Sequence, residues 1–252
     1  MAPSRALTHL ALLRRARRAI LHRPYHSYDH PAPVGVFSAH EHTILAAAYR
    51  HVPEHGFTQH ALSLGARDAG YLDVSTNLLS EGPFSLIRYH LVTQREALAL
   101  RLEAMFTDTS AAAATTTVPA RVERLTWERL LGNRDVNHQW QEALAIMAHP
   151  SHVPASLHEL ALLVDEIHFL AGDASVDPTW YTKRGGLSII YASSELFMTN
   201  DRSPGFGDTR AFLQRRLASA GSLSGAVGSV TQWLGFAASA GVNVLRSKGV
   251  RI

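Results

Sequence analysis

The sequence predicts an all-α fold, and three observations carry that reading. No stretch of the 252 residues alternates apolar and polar side chains over the length of a strand. Apolar residues recur instead at three- and four-residue steps, the period of a helix with one buried face. The periodic stretches are cut at helix lengths by Val52-Pro53, Gly82-Pro83, Gly132-Asn133, Pro150, Gly172-Asp173 and Pro204-Gly205. A chain of this size can build one domain with a real core. It has no cysteine, which excludes a disulfide framework and thiolate chemistry.

Ser38-Ala39-His40-Glu41 has the pattern of a capping box ahead of Ile44, Leu45 and Ala48, so a first helix is expected there, ending at Val52-Pro53. A turn at His55-Gly56 leads into a second helix over 58–68, stopped by Gly70, and a short third element follows at 74–80. Gly82-Pro83 breaks it, and 84–106 continues as a long helix carrying Leu86, Ile87, Leu91, Leu98 and Leu102. The low-complexity stretch TDTSAAAATTTVPA, 107–120, is expected to be a mobile loop. Further helices are expected at about 120–132, 137–148, 155–171, 178–199 and 207–219, with Asp177 and Pro178 opening the fourth of these. No internal repeat is visible.

The formal charge of +3 hides an asymmetry. Residues 1–28 hold six Arg and no acid, and 209–252 hold five Arg, one Lys and no acid. The segment 29–208 therefore carries 12 basic residues and all 21 acidic ones, a net of −9. The high isoelectric point is thus no argument for nucleic acid, because the helical body has the wrong sign. Arg5, Arg14, Arg15, Arg17, Arg18 and Arg23 alternate with leucines in an acid-free, amphipathic opening, the composition of a mitochondrial transit peptide. Arg14 interrupts the unbroken apolar core that a secretory signal needs; a basic arm is the plainer alternative. We assign 1–30 to the transit peptide, 31–37 to a linker, 38–219 to a helical domain and 220–252 to a terminal helix and tail.

That tail opens with 29 residues, 217–245, without a charged side chain. It is long enough to span a bilayer but too polar, with five glycines and eight Ser, Thr, Gln or Asn residues. At 100° per residue, Leu223, Val227, Val230, Trp233, Leu234, Val244 and Leu245 fall on one arc, opposite Ser222, Ser229, Gln232, Ser239 and Asn243. Such a helix suits a membrane interface. A helix packed on its own domain is the alternative.

ILAAAYRHVPEHGFTQHALSLGARDAG, 44–70, resembles the helix–turn–helix opening of TetR-family regulators. A DNA reader brings Lys and Arg to phosphates, yet the third element, YLDVSTNLLSEGP, has no basic residue and carries Asp73 and Glu81. Residues 39–90 have a net charge of −2. A nucleic-acid-binding regulator is therefore the second reading and not the first. Fifteen histidines raise the question of metal, but no Glu has a His three residues later, so the Glu-x-x-His pair of a di-iron bundle is missing. His158, Asp165 and His168 share one predicted helix and read as a polar rim. No nucleophile elbow, P-loop or dinucleotide motif is present, and neither an enzyme nor a bound cofactor is expected.

DPTWYTKRGGLSIIYASSELFM, 177–198, sets Trp180 and Tyr181 beside Lys183 and Arg184, a mixture enriched at binding patches. A packed Trp180 with solvated cations fits the same residues. Together with HVPEHGFTQHALSLGARDAGY and the block 165–217, these residues resemble the mitochondrial auxiliary lipid-binding proteins of ubiquinone biosynthesis, over about 38–252. The resemblance implies a TetR-like fold, binding of isoprenoid quinone intermediates or phospholipid, and support of the late-pathway di-iron hydroxylase. It also implies residence on the matrix side of the inner mitochondrial membrane. It assigns Trp180, Tyr181, Lys183 and Arg184 to the patch that meets the hydroxylase, and an apolar lipid pocket to the helices around 155–198. Candidate lining residues are Trp127, Leu130, Leu160, Leu163, Ile167, Leu187, Ile190, Tyr191 and Met198, with plain core packing as the alternative for each. Thr179, Gly185-Gly186, Gly205 and Arg210 depart from the family's usual residues. A homodimer is the default assembly for this class. Deletion of 222–252 is expected to abolish flotation of the protein with liposomes while its helical circular dichroism persists; undiminished flotation rules out the tail as anchor.

Overall fold

The Ser38 backbone N–H donates to Glu41 Oε2 (2.8 Å) and the Glu41 N–H returns to Ser38 Oγ (3.4 Å), the reciprocal pair that opens the first helix. In the computed structural model the described residues are 36–107, 117–173 and 179–222. All their regular elements are helical, with no strand among them. Helix α1 spans Ala39–Tyr49, α2 Val52–His55, α3 Gln59–Asp68, α4 Pro83–Thr107 and α5 Val118–Leu131. Helix α6 spans Asn137–Met147, α7 Val153–Ala171, α8 Thr179–Met198 and α9 Gly207–Ser222. Short 3-10 turns lie at Asp73–Leu78, Arg134–Val136 and Pro204–Phe206. The boundary between the chain's two compact units falls at His42/Thr43, and the core, the cleft and the Trp180–Arg184 surface lie in the second. The transit peptide 1–30, residues 31–35 of the linker, most of the 107–120 loop, the Asp177-Pro178 cap and the seven apolar positions of the tail lie outside the described residues.

Two boundaries differ from expectation for the same reason. Val52-Pro53 does not end a helix but starts the one-turn α2, and Val118-Pro119 likewise starts α5 inside the stretch read as loop. A proline fits the first helical turn because the N–H it lacks has no intrahelical partner there. Thr58 caps α3, accepting from the Ala61 N–H at 3.3 Å. The third element is a 3-10 turn, and its Asp73 accepts from Arg67 Nε of α3 at 2.7 Å.

The body is built around α7, which packs on α4, α5 and α8, while α8 packs on α9 and α9 on α5. Leu98, Val122, Leu125, Leu163, Val164, Ile167, Leu187, Tyr191 and Leu213 meet in one core drawn from these five helices. Truncating any such Leu to Ala costs about 2–5 kcal/mol. The entrance to α9 is tied by Asp201. Its Oδ2 accepts from the Thr209 N–H (2.8 Å) and hydroxyl (2.6 Å), its Oδ1 from the Ser203 N–H (2.7 Å) and hydroxyl (2.6 Å). Desolvation opposes ionisation of this carboxyl, but the four donors win and lower its pKa to about 2.

Glycine has opposite meanings at two places. At Gly65 an added Cβ would collide with the backbone of Ala48, so the close approach of α1 and α3 requires glycine. At Gly185 and Gly186, within α8, a Cβ would meet nothing within 4 Å. Gly185→Ala and Gly186→Ala are expected to raise unfolding free energy by about 0.5–1 kcal/mol each, and Gly65→Ala to lower it by more than that. Urea denaturation of the three variants checks the signs.

Candidate functional site

A cleft of about 210 Å³ opens among α4, α6, α7 and α8, with one residue of α5 in its lining. Its walls are apolar: Leu91, Leu144, Met147, Leu157, Leu160 and Leu163. Its lining also includes Arg129, Glu159, Tyr191 and Glu195. Three of the nine candidate pocket residues, Leu160, Leu163 and Tyr191, line this cleft. Trp127, Leu130, Ile167, Leu187, Ile190 and Met198 lie in the adjoining core.

Charged side chains on the cleft were the part of the site missed from sequence. Arg129 is 0% exposed, Glu159 4% and Glu195 6%. Charges are seldom buried this far unless paired, because desolvation is costly. The signal was readable: Leu125 and Arg129, Glu159 and Leu163, and Tyr191 and Glu195 are each four residues apart on a helix, so each charge shares a stripe with a core residue.

Asn133 organises a buried polar network that takes in Arg129, Tyr191 and Glu195. His90 Nε2 donates to Asn133 Oδ1 (2.8 Å), and Arg129 Nη1 donates to the same oxygen (2.7 Å). The Asn133 amide donates to Glu195 Oε1 (2.9 Å), which also accepts from the Tyr191 hydroxyl (3.0 Å). The Tyr49 hydroxyl donates to His90 Nδ1 (2.7 Å), so both ring nitrogens of a neutral imidazole are satisfied. Burial, followed by the Arg129 charge, pulls the His90 pKa down to about 3. Burial raises that of Glu195 against the opposing pull of Arg129.

Glu159 is held differently. Its Oε1 lies 3.7 Å from Arg88 Nε and its Oε2 3.7 Å from Arg95 Nε. Both oxygens are buried and neither has a hydrogen-bond donor among the described residues. Arg129 Nε and Nη2 are likewise buried without an acceptor.

At the N-terminal end of α8 the Arg184 guanidinium stacks 3.8 Å from the Trp180 ring centroid. It also binds Asp165 of α7 through Nε (3.0 Å) and Nη2 (2.9 Å). Lys183 Nζ sits 3.4 Å from Asp173, whose carboxylate is 3.3 Å from His168 Nδ1. Tyr181 is 76% exposed. The four candidate patch residues therefore form one surface, in which Arg184 is fixed by a ring and a carboxylate and Tyr181 projects. The His158–Asp165–His168 row divides: His158 is exposed, Asp165 pairs with Arg184 and His168 is buried. Among the described residues no three His, Asp or Glu side chains converge on a metal-sized site. No helix among them is long and apolar enough to cross a membrane.

The family model described as COQ9 matches residues 153–224. The ubiquinone biosynthesis protein coq9, mitochondrial, of Schizosaccharomyces pombe is 39% identical over 235 residues, which is 92% of this chain and 89% of that protein. The chain belongs to the COQ9 family. Proteins named Ubiquinone biosynthesis protein COQ9, mitochondrial, from Drosophila melanogaster and Homo sapiens are 35% and 34% identical over 69% and 70% of the chain. The chain spans only 53% and 56% of their lengths, about half. The COQ9 match holds α7, α8 and α9, and so both the Trp180–Arg184 surface and two walls of the cleft.

The Asn133 network has a pH signature. The folded pKa of His90 lies below its unfolded value of 6.5, so its contribution is full above pH 6.5 and is lost as the pH falls toward 3. Glu195, with its raised pKa, acts in the opposite sense. Comparison with His90→Gln isolates the histidine. The stability advantage of the wild type over this variant is expected to shrink by about 2 kcal/mol between pH 7.5 and pH 5, read by urea unfolding at both.

Proposed function

We propose that the chain is a membrane-associated lipid-binding protein of ubiquinone biosynthesis. In this reading it holds an isoprenoid quinone intermediate in the cleft and presents it to the late-pathway di-iron hydroxylase. The observation that carries it is the cleft itself, with its apolar walls, in a chain of the COQ9 family. A polyprenyl chain gains about 0.8 kcal/mol for each CH₂ it keeps out of water, so it does not leave a bilayer unaided. A cleft that shelters the head lowers that barrier. The volume is below the roughly 300–1,000 Å³ of pockets that enclose a whole ligand. The head and the first carbons fit, and the rest of the chain stays along the protein surface or in the lipid.

Residues 223–245 would lay their apolar arc on the matrix side of the inner membrane. The surface around Trp180 and Tyr181 would meet the hydroxylase: an exposed aromatic beside a fixed guanidinium is the kind of anchor on which binding energy concentrates. The same surface lies on α8, which also supplies Tyr191 and Glu195 to the cleft. Trp180→Ala combined with Lys183→Ala is expected to cut recovery of the hydroxylase in pull-downs by about tenfold or more. Isoprenoid lipid extracted from the purified variant should stay at the wild-type level. Undiminished recovery refutes the patch, and solvent extracts of the wild type without lipid refute the carrier role.

A further inference from the structure

The residues at the start of α8 differ in what they can offer a partner. Trp180 and Arg184 are four residues apart on that helix, so their side chains share one face of it. The Arg184 guanidinium lies 3.8 Å from the Trp180 ring centroid. Its Nε (3.0 Å) and Nη2 (2.9 Å) both donate to Oδ1 of Asp165 on α7. Its Nη1 is buried and has no acceptor among the described residues. The whole side chain is 15% exposed. A guanidinium grips a carboxylate with two parallel N–H groups, along the Nε–Nη2 edge or the Nη1–Nη2 edge. Here Asp165 occupies the first edge, and the buried Nη1 closes the second to anything arriving from solvent.

The two aromatic residues are the ones left to make contact. Trp180 is half-buried, and its ring meets that of Tyr181 nearly edge-on, with centroids 4.7 Å apart and planes at 75°. Tyr181 is 76% exposed. In the first turn of a helix an indole changes rotamer freely unless something packs on it. A planar guanidinium packs well on such a ring. The arginine stem is itself flexible, so it stacks steadily only when its far end is tied. Asp165 is that tie. The order of dependence runs from Asp165 to Arg184, from Arg184 to Trp180 and from Trp180 to Tyr181.

We propose that Asp165 is a positioning residue for the partner surface. It ties Arg184 against the Trp180 ring, so that the partner meets Trp180 and Tyr181 in one fixed geometry and forms no ion pair with Arg184. The partner face that fits is an apolar or aromatic one that accepts two rings, and not an acidic fork that seeks a guanidinium. This rests on the reading of the Trp180–Tyr181 surface as the place where the hydroxylase binds, and adds how that surface is held. The two possible roles of Arg184 differ in the sign of one experiment. Were Arg184 a partner contact, Asp165 would compete with the partner's carboxylate for it, and removing the Asp165 charge would tighten binding. With Arg184 as a support, removing that charge loosens Trp180. The cost of ordering the ring then falls on the association, and binding weakens.

The test is interferometry of the purified hydroxylase on the immobilised full chain, for the wild type, Asp165→Asn, Arg184→Gln, the double variant and Trp180→Ala. Asp165→Asn and Arg184→Gln are each expected to weaken binding about fivefold. The double variant is expected to lose no more than about twofold beyond either single one, because both changes remove the same support. A readout without the partner is fluorine NMR of protein labelled with 5-fluorotryptophan, with the Trp180 line assigned by Trp180→Phe. Asp165→Asn is expected to shift or broaden that line and to leave the lines of the buried Trp127 and Trp140 in place. Unchanged or tighter binding by Asp165→Asn, with Trp180→Ala weakened, overturns the proposal and leaves the partner surface standing. Additive losses, or movement of the Trp127 and Trp140 lines, show a general structural role for Asp165 and overturn it as well. Wild-type binding by Trp180→Ala overturns both the proposal and the partner surface.

Discussion

The site depends on the amide of Asn133. One side chain in the turn after α5 accepts from His90 of α4 and Arg129 of α5 and donates to Glu195 of α8. Three helices are thereby held by a group that is fully buried. Loss of the amide would leave a buried guanidinium and a buried carboxyl each short of a partner, which is far more costly than the net worth of the bonds themselves. The same bonds fix the Arg129 guanidinium in one orientation.

Much of the fold was legible from sequence because helix caps, breakers and the apolar period all point the same way. The capping box at Ser38, the Thr58 cap and the stop at Gly172 lie where the residues predict. Prolines misled at Pro53 and Pro119, since proline both ends one helix and opens the next, and nothing local decides which. The patch residues Trp180, Tyr181, Lys183 and Arg184 were found together because they are adjacent in sequence. The cleft was only partly found. An apolar stripe on α7 or α8 looks the same whether its side chains meet another helix or a void, so Ile167 and Leu163 could not be told apart. Arg129, Glu159 and Glu195 were not singled out from sequence, although their four-residue spacing from core leucines and Tyr191 put them on buried stripes.

The two surfaces of interest are joined by one helix pair. Arg184 bridges from α8 to Asp165 of α7 near one end of the pair, and the cleft takes Glu159 and Leu163 from α7 and Tyr191 and Glu195 from α8 toward the other. Tyr191 follows Arg184 by seven residues, about two turns or roughly 10 Å along the axis. On the proposed reading, a partner bound at Trp180 and Tyr181 would stand about that far along α8 from the cleft. The α7–α8 pairing combines core contacts through Leu163, Ile167, Leu187 and Tyr191 with a charged tie at the edge.

The size of the cleft constrains how such a protein can work. At about 210 Å³ it has room for a head group and little more, so on the proposed reading most of a long polyprenyl chain would lie outside it. Complete extraction into water would then expose apolar carbon at a cost that no contact inside the cleft could match. The workable arrangement keeps the chain in lipid while only the ring is lifted to the protein. That requires the body to sit at the bilayer surface, which is the property the residues from Leu223 to Leu245 have by pattern: apolar on one arc, uncharged throughout, and flanked by Arg215, Arg216, Arg246 and Lys248 for anionic headgroups. On the proposed reading a small cleft and a surface-seeking tail would be two parts of one solution, since a soluble shuttle with the same cleft would fail on the free energy of its cargo.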